Sequence, residues 1–268
     1  MDDRLASLHA VGDVDFPLLE GLEVDSVLPS IKYTSLKEIF DKRTCVDKVQ
    51  SKLQAAMETI RKTLDQYGTA AVPCGTAVSF NGGKDCTITL FLYAVALEEY
   101  YCLHSTQQVM PIKLLYVSEE HSFPEIEQFV NTFTKILRAD LTRVVGGMKV
   151  ALKKFLDLNQ QVKAILMGQR ATDPHSDQLK KFDATNNGWP FVMRVHPILD
   201  WEYEDVWAAI LGLKIPYCSL YSRGYTSIGN VKDTLPNPLL KSSDNPNGYL
   251  HAKYLEDSSK ERSGRISK

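Results

Sequence analysis

From Val46 onward the chain places apolar residues at helical spacing. Val46, Val49, Leu53, Met57, Ile60 and Leu64 recur through CVDKVQSKLQAAMETIRKTLDQYG, with Gly68 where a helix would stop. The rhythm then changes to alternation. Short apolar runs at 76–80, 112–118, 141–145 and 163–167 read as strands, each apolar enough for a sheet covered on both faces. Helical patterns near 85–103, 124–138 and 148–158 separate them. Strands alternating with helices imply right-handed crossovers. The expected fold is α/β, a doubly wound, mostly parallel sheet with helices on both faces. Residues 1 to about 44 read as irregular, punctuated by Gly12, Pro17, Gly21 and Pro29. Trp201, Val206 and Ile210 in LDWEYEDVWAAI read as an ordinary helix face without chemistry.

Composition narrows the class. A chain of 268 residues suits one large domain or two small ones, and a single α/β domain over 1–268 is expected, divided at 45 and 169. The formal charge of -2 offers no basic surplus for nucleic acid. Five cysteines (Cys45, Cys74, Cys86, Cys102 and Cys218) include no C-x-x-C pair, which argues against a disulfide framework and a cysteine zinc site. The acidic start MDDRLAS has no apolar signal core, and the run TITLFLYAVAL is too short to span a bilayer. A cytoplasmic protein with no membrane partner is expected.

The chemistry concentrates in SFNGGKDCT, Ser79 to Thr87, between a strand and a helix. Walker A would need a glycine where Val78 stands and a hydroxyl where Asp85 stands, so that match fails. The dinucleotide fingerprint fails as well, because Gly82 and Gly83 are adjacent and no third glycine follows. What remains is strand–Ser-x-x-Gly-Gly-x-Asp–helix. Glycines admit phosphate close to the backbone, and a helix N-terminus supplies N–H groups and a positive dipole. Ser79 and Lys84 can donate to phosphate oxygens, while Asp85 can cap the helix or hold Mg²⁺. A tight turn with Asp85 as a mere cap is the simpler alternative, but the clustered Ser, Lys and Asp favour a nucleotide phosphate. The polar stretch from Gln169 to Gly188 also follows a strand, so both loops belong on one edge of the sheet.

This stretch resembles the PP-loop of the ATP pyrophosphatases, which cleave ATP between the α- and β-phosphates. Downstream, MGQRATDP, GWPFVMRVHPILDW, YTSIGN and DTLPNPLL follow in order. With the cradle, these resemble the eukaryotic-type FMN adenylyltransferases (FAD synthetases), related in fold to phosphoadenylylsulfate reductases, over roughly residues 75–265. The resemblance implies AMP transfer from ATP to FMN with Mg²⁺, giving FAD and pyrophosphate; a monomer is expected. It makes 45–168 the ATP-binding core and 169–268 the flavin-binding part.

For ATP it implies Ser79, Gly82, Gly83, Lys84, Asp85, Cys86, Gly168 and Arg170; for the metal, Asp85. For the flavin it implies Asp173, Trp189, Arg194, Arg262 and Arg265. Asn81, Lys84, Asp85, Asp173, Arg262 and Arg265 are the catalytic candidates, with Asp177 and Asp183 competing for the role of Asp173. By composition alone the tail SSKERSGRISK is a solvated terminus, yet the resemblance carries an Arg-x-x-Arg pair to the FMN phosphate, and i, i+3 spacing would aim both arginines one way. Sulfonucleotide reductases share a YTSIGN-like segment but rely on a C-terminal cysteine, and none follows Cys218. Another adenylylating PP-loop enzyme, or a nucleotide-binding regulator without turnover, fits the sequence as well. His121 and His175 have no partner at ligand spacing and read as surface residues.

Overall fold

In a computed structural model of the chain, residues 36–37, 40, 49–68, 74–104, 110–118 and 121–266 are described. The irregular segment expected over 1–44 lies almost wholly outside them, as does Val46. Helix α1 (Gln50–Tyr67) buries Leu53, Met57, Ile60 and Leu64, the stripe its spacing predicts. It ends at Gly68, whose amide donates to the Leu64 carbonyl at 2.7 Å.

Strand β1 (Thr76–Ser79) leads into α2 (Lys84–Leu103), then β2 (Lys113–Ser118), α3 (Pro124–Ile136), β3 (Asp140–Val145), α4 (Met148–Leu158) and β4 (Ala164–Leu166). A hairpin of β5 (Phe182–Ala184) and β6 (Met193–Val195), helix α5 (Tyr203–Gly212) and four short 3₁₀ turns follow. The six strands lie in the order β3-β2-β1-β4-β6-β5. Only the β5–β6 pair is antiparallel. The chain winds outward from β1 in both directions, which is the expected doubly wound plan.

Alternation along the central strands divides the core in two. Val78, Leu114, Tyr116, Ala164 and Leu166 join the larger cluster with α1, α2, α3 and α5. Ala77, Leu115 and Ile165 point the other way, against Ala151, Leu152 and Phe155 of α4. Helix α2 is buried almost all round, as a central helix between α1 and α5 must be. At 20 residues it is long and apolar enough to cross a bilayer, contrary to the reading of its apolar run as too short, but here it is a core helix.

Three expectations are corrected. Strand β3 is not covered on both faces: it is an edge strand with only Val144 buried, and its Asp140 and Arg143 pair with Lys113 and Glu127 near solvent. Trp201 is buried but precedes α5, so it is not on that helix face. The stretch 169–188 is not all loop, because it contains β5. Strands β5 and β6 are three residues each, too short for any periodicity to register.

Candidate active site

The loops after β1 and β4 emerge side by side from parallel strands, as their sequence positions require. After β1 the chain turns at Gly82, whose φ of +78° is left-handed backbone that suits glycine. A Cβ there would also lie 2.9 Å from Val130 Cγ2. Asn81 Oδ1 accepts from the Gly83 amide at 3.0 Å and from the Cys86 thiol at 2.8 Å. The Cys86 thiol is pushed up to about 12, first by burial, so it is a hydrogen-bond donor inside the turn and not a nucleophile. The side chains of Asn81 and Cys86 are therefore engaged in shaping the turn.

Helix α2 begins one residue earlier than expected. Gly83 is its N-cap, so Asp85 stands in the first turn and does not cap. The Lys84 amide is met by the Tyr221 hydroxyl at 2.8 Å. Nothing in the sequence singles out Tyr221, which arrives from a 3₁₀ turn far downstream.

Behind the turn lies a buried ionic cluster. The Lys84 ammonium contacts Asp85 Oδ2 at 2.8 Å and Glu261 Oε1 at 2.5 Å, and sits over the Tyr203 ring. Arg170, 1% exposed, contacts Glu261 Oε2 at 2.6 Å and Asp173 Oδ1 at 3.2 Å. Its Nε lies 2.9 Å from Asp85 Oδ1 without the alignment of a hydrogen bond, leaving that buried oxygen with no donor. Burial alone would lower the pKa of Lys84, but Asp85 and Glu261 outweigh it and hold the ammonium above its ordinary value. Arg170 is raised by the same contest, burial opposing and Asp85 and Glu261 prevailing. Asp173 is raised chiefly by burial, although the Arg170 amide and guanidinium pull it down.

Three carboxylates face two cations, a local surplus of one negative charge. Nothing in the sequence singles out Glu261, because a glutamate in a polar tail carries no signal of burial.

Arg170, Asp173, Tyr203, Glu261 and Arg262 line a cavity of about 410 Å³. Lys84 is not among its lining residues. A second cavity of about 250 Å³ lies on the α4 side of the sheet edge and is lined by Ser79, Met148, Met167, Trp189 and Arg194 among others. Strand register explains that grouping. Ser79 pairs with Leu115 and Ile165 with Arg194, so all four project on one face. Ser79 thus opens toward Trp189 and Arg194. Arg194 is held by Asp183, its partner across the hairpin, at 2.5 Å; Trp189 is 38% exposed at the rim. Asp177, His121 and His175 are exposed.

The tail is tied down along most of its length. The Leu235 amide donates to the Gly264 carbonyl and that of Ile266 to Asp233, each at 2.8 Å. Arg262 and Arg265 share a turn but face different surroundings, contrary to the parallel aim expected from their spacing. Arg262 is exposed at the larger cavity. The Arg265 guanidinium instead packs on Gly229, where a Cβ would lie 1.9 Å from its Nη1. Gly229, with Asn81, Gly83 and Tyr116, lines a third cavity of about 90 Å³.

Comparison with known proteins gives the family. The phosphoadenosine phosphosulfate reductase domain family matches residues 75–149 and 139–236. A probable FAD synthase of Schizosaccharomyces pombe is 39% identical over 87% of both chains. The flavin adenine dinucleotide synthase of Saccharomyces cerevisiae is 32% identical, over 86% of this chain and 84% of that one. The crystal structure of Candida glabrata FMN adenylyltransferase with FAD and pyrophosphate superposes with a TM-score of 0.80, at 25% identity, over 90% of this chain and 98% of that one. Identity at this level across nearly the whole of both chains places this protein in the FAD synthase family, on a phosphoadenosine phosphosulfate reductase-like fold.

Proposed function

We propose that this protein transfers the adenylyl group of ATP to the phosphate of FMN, forming FAD and releasing pyrophosphate. The observation that carries the reading is the convergence of two unlike cavities on one edge of the sheet. One is charged, with Arg170 and Arg262 set among the carboxylates of Asp173, Glu202 and Glu261; the other presents the indole of Trp189 and the guanidinium of Arg194. The arginines of the first suit phosphates, the second cavity a flat polar ring. An FMN phosphate oxygen attacks the α-phosphorus of ATP in line, and the bond to the bridging oxygen of the pyrophosphate breaks. No covalent protein intermediate is required, because transfers of this type depend on positioning and charge stabilisation.

In this reading the first turn of α2 and Arg170 hold the ATP phosphates, and Lys84 contributes its charge from beneath. Arg262 offsets the repulsion between the two substrates' phosphates. Trp189 and Arg194 hold the flavin ring, and Asp173 keeps Arg170 oriented. Magnesium finds one candidate ligand here: Asp85, whose Oδ1 is buried, lacks an aligned hydrogen-bond donor and lies 2.9 Å from the Arg170 guanidinium, while among the described residues no group of three His, Cys, Asp or Glu side chains is placed to hold a metal. Asp85 would hold it together with water and phosphate oxygens, and the bound ion would neutralise charge on the leaving pyrophosphate.

A reductase reading is disfavoured at Cys218, which is fully buried and whose thiol burial pushes up to about 12. The test is incubation with ATP, Mg²⁺ and FMN followed by separation of the flavins. FAD and pyrophosphate in equal amounts are expected. Release of ADP or orthophosphate would overturn the assignment, and binding without product would make the protein a nucleotide-binding regulator.

A further inference from the structure

Thr226 and Asn237, from YTSIGN and DTLPNPLL, are 1% and 0% exposed and line neither of the two larger cavities. Their side chains are bonded to one another and to the tail. Asn237 Nδ2 donates to Thr226 Oγ1 and to the Lys260 carbonyl, each at 2.9 Å. Thr226 Oγ1 donates in turn to the Glu261 carbonyl at 2.6 Å. Two consecutive tail carbonyls are thus gripped by one buried pair. The gripped backbone turns the Glu261 side chain inward, where its two oxygens divide between Lys84 Nζ and Arg170 Nη2. A single carboxylate joins the lysine after β1 to the arginine after β4. Arg262, the next residue, opens into the larger cavity.

We propose that Glu261 is a positioning residue for adenylyl transfer. Its carboxylate, aimed by the Thr226–Asn237 clamp, fixes the Lys84 ammonium and the Arg170 guanidinium relative to each other, and the same clamped backbone presents Arg262. An anion at this position would repel ATP directly, so its contribution acts through the two cations it holds. The inference rests on the adenylyl-transfer reading and adds to it a division of labour. The Glu261 carboxylate governs the ATP side. The clamp on its backbone governs both sides, because Arg262 depends on it.

Steady-state kinetics of three variants test this, with thermal unfolding as the control for stability. Glu261→Gln keeps the clamp and loses the charge. It is expected to lower kcat by about ten-fold or more and to raise KM for ATP, with KM for FMN within about twofold of wild type. Glu261→Asp keeps the charge one methylene short and is expected to recover part of kcat. Thr226→Val loosens the backbone and is expected to raise both KM values. A Glu261→Gln enzyme with wild-type kcat and KM for ATP, altered only in Tm, would make Glu261 a structural tie and overturn the proposal. So would a Glu261→Asp enzyme no better than the Gln variant. Should neither Glu261 variant fold, Thr226→Val decides alone, and unchanged KM values in it count against the proposal. Wild-type protein that makes no FAD would instead refute the activity itself, so the two failures are distinguishable.

Discussion

Gly168 lies directly against Asp85: a Cβ on Gly168 would stand 2.5 Å from the Asp85 carbonyl carbon and 2.5 Å from the Cys86 amide nitrogen. The loop after β4 therefore touches the backbone of the cradle, and only a residue without a side chain permits it. Gly168→Ala must push the first turn of α2 away from Arg170. Overpacking of this kind costs about 1–3 kcal/mol. The variant is expected to show a lower Tm together with a fall in kcat, whereas a loss of Tm alone would mean that the contact is packing without consequence for the site.

Lys84 and Arg170 are both almost fully buried among carboxylates, so their removal cannot be silent for folding. Lys84→Ala leaves Asp85 and Glu261 without one of their two cations. Breaking a buried pair in this way costs about 3–5 kcal/mol. Denaturant titration should register that loss alongside loss of turnover, and an unchanged midpoint would mean that water already compensates the cluster.

The Trp189–Arg194 cavity is separated by the sheet edge from the ionic cluster. Trp189→Ala and Arg194→Ala are accordingly expected to weaken FMN binding while ATP binding stays near wild type, as calorimetry can measure for each ligand. Parallel loss of both affinities would move these residues from a ligand site to the fold.

The two tail arginines should behave differently from one another. Arg262 is exposed at the larger cavity, so Arg262→Ala is expected to reduce FAD formation about 10²–10³-fold, the usual cost of removing one stabiliser of charge, with Tm unchanged. Arg265→Ala removes a guanidinium packed on Gly229 and is expected to lower Tm as well. Deletion of 261–268 removes Glu261 too and should destabilise the domain. Identical behaviour of the two single variants would show that both arginines serve one phosphate.

Acid should weaken the fold through His196. Burial first, then Arg194, lowers its pKa from 6.5 to about 4. The unfolded chain therefore takes up a proton below pH 6.5 that the native protein refuses until about pH 4. Stability is lost as pH falls through that window, by about 3 kcal/mol for this residue at the lower end. Unfolding midpoints at pH 7 and pH 5 check this, and in His196→Gln the difference should shrink.

How much of this was legible in the sequence follows from the range of each interaction. Val78, Leu114 and Leu166 announce strands because apolar runs between helical stripes are local patterns, and the doubly wound order follows from their alternation with helices. Gly82, Gly83 and Asp85 announce a cradle because a strand–turn–helix junction is contained in one short stretch. The polar stretch that carries Arg170 announces its place at the site by following a strand. The sequence could not say that Lys84 would be enclosed by a carboxylate from the tail, that Tyr221 would cap its amide, or that Arg262 and Arg265 would part company. Those outcomes depend on which distant segments pack together. A buried charge is tolerable only where an opposite charge arrives to meet it, and which residue arrives is decided by the tertiary fold alone.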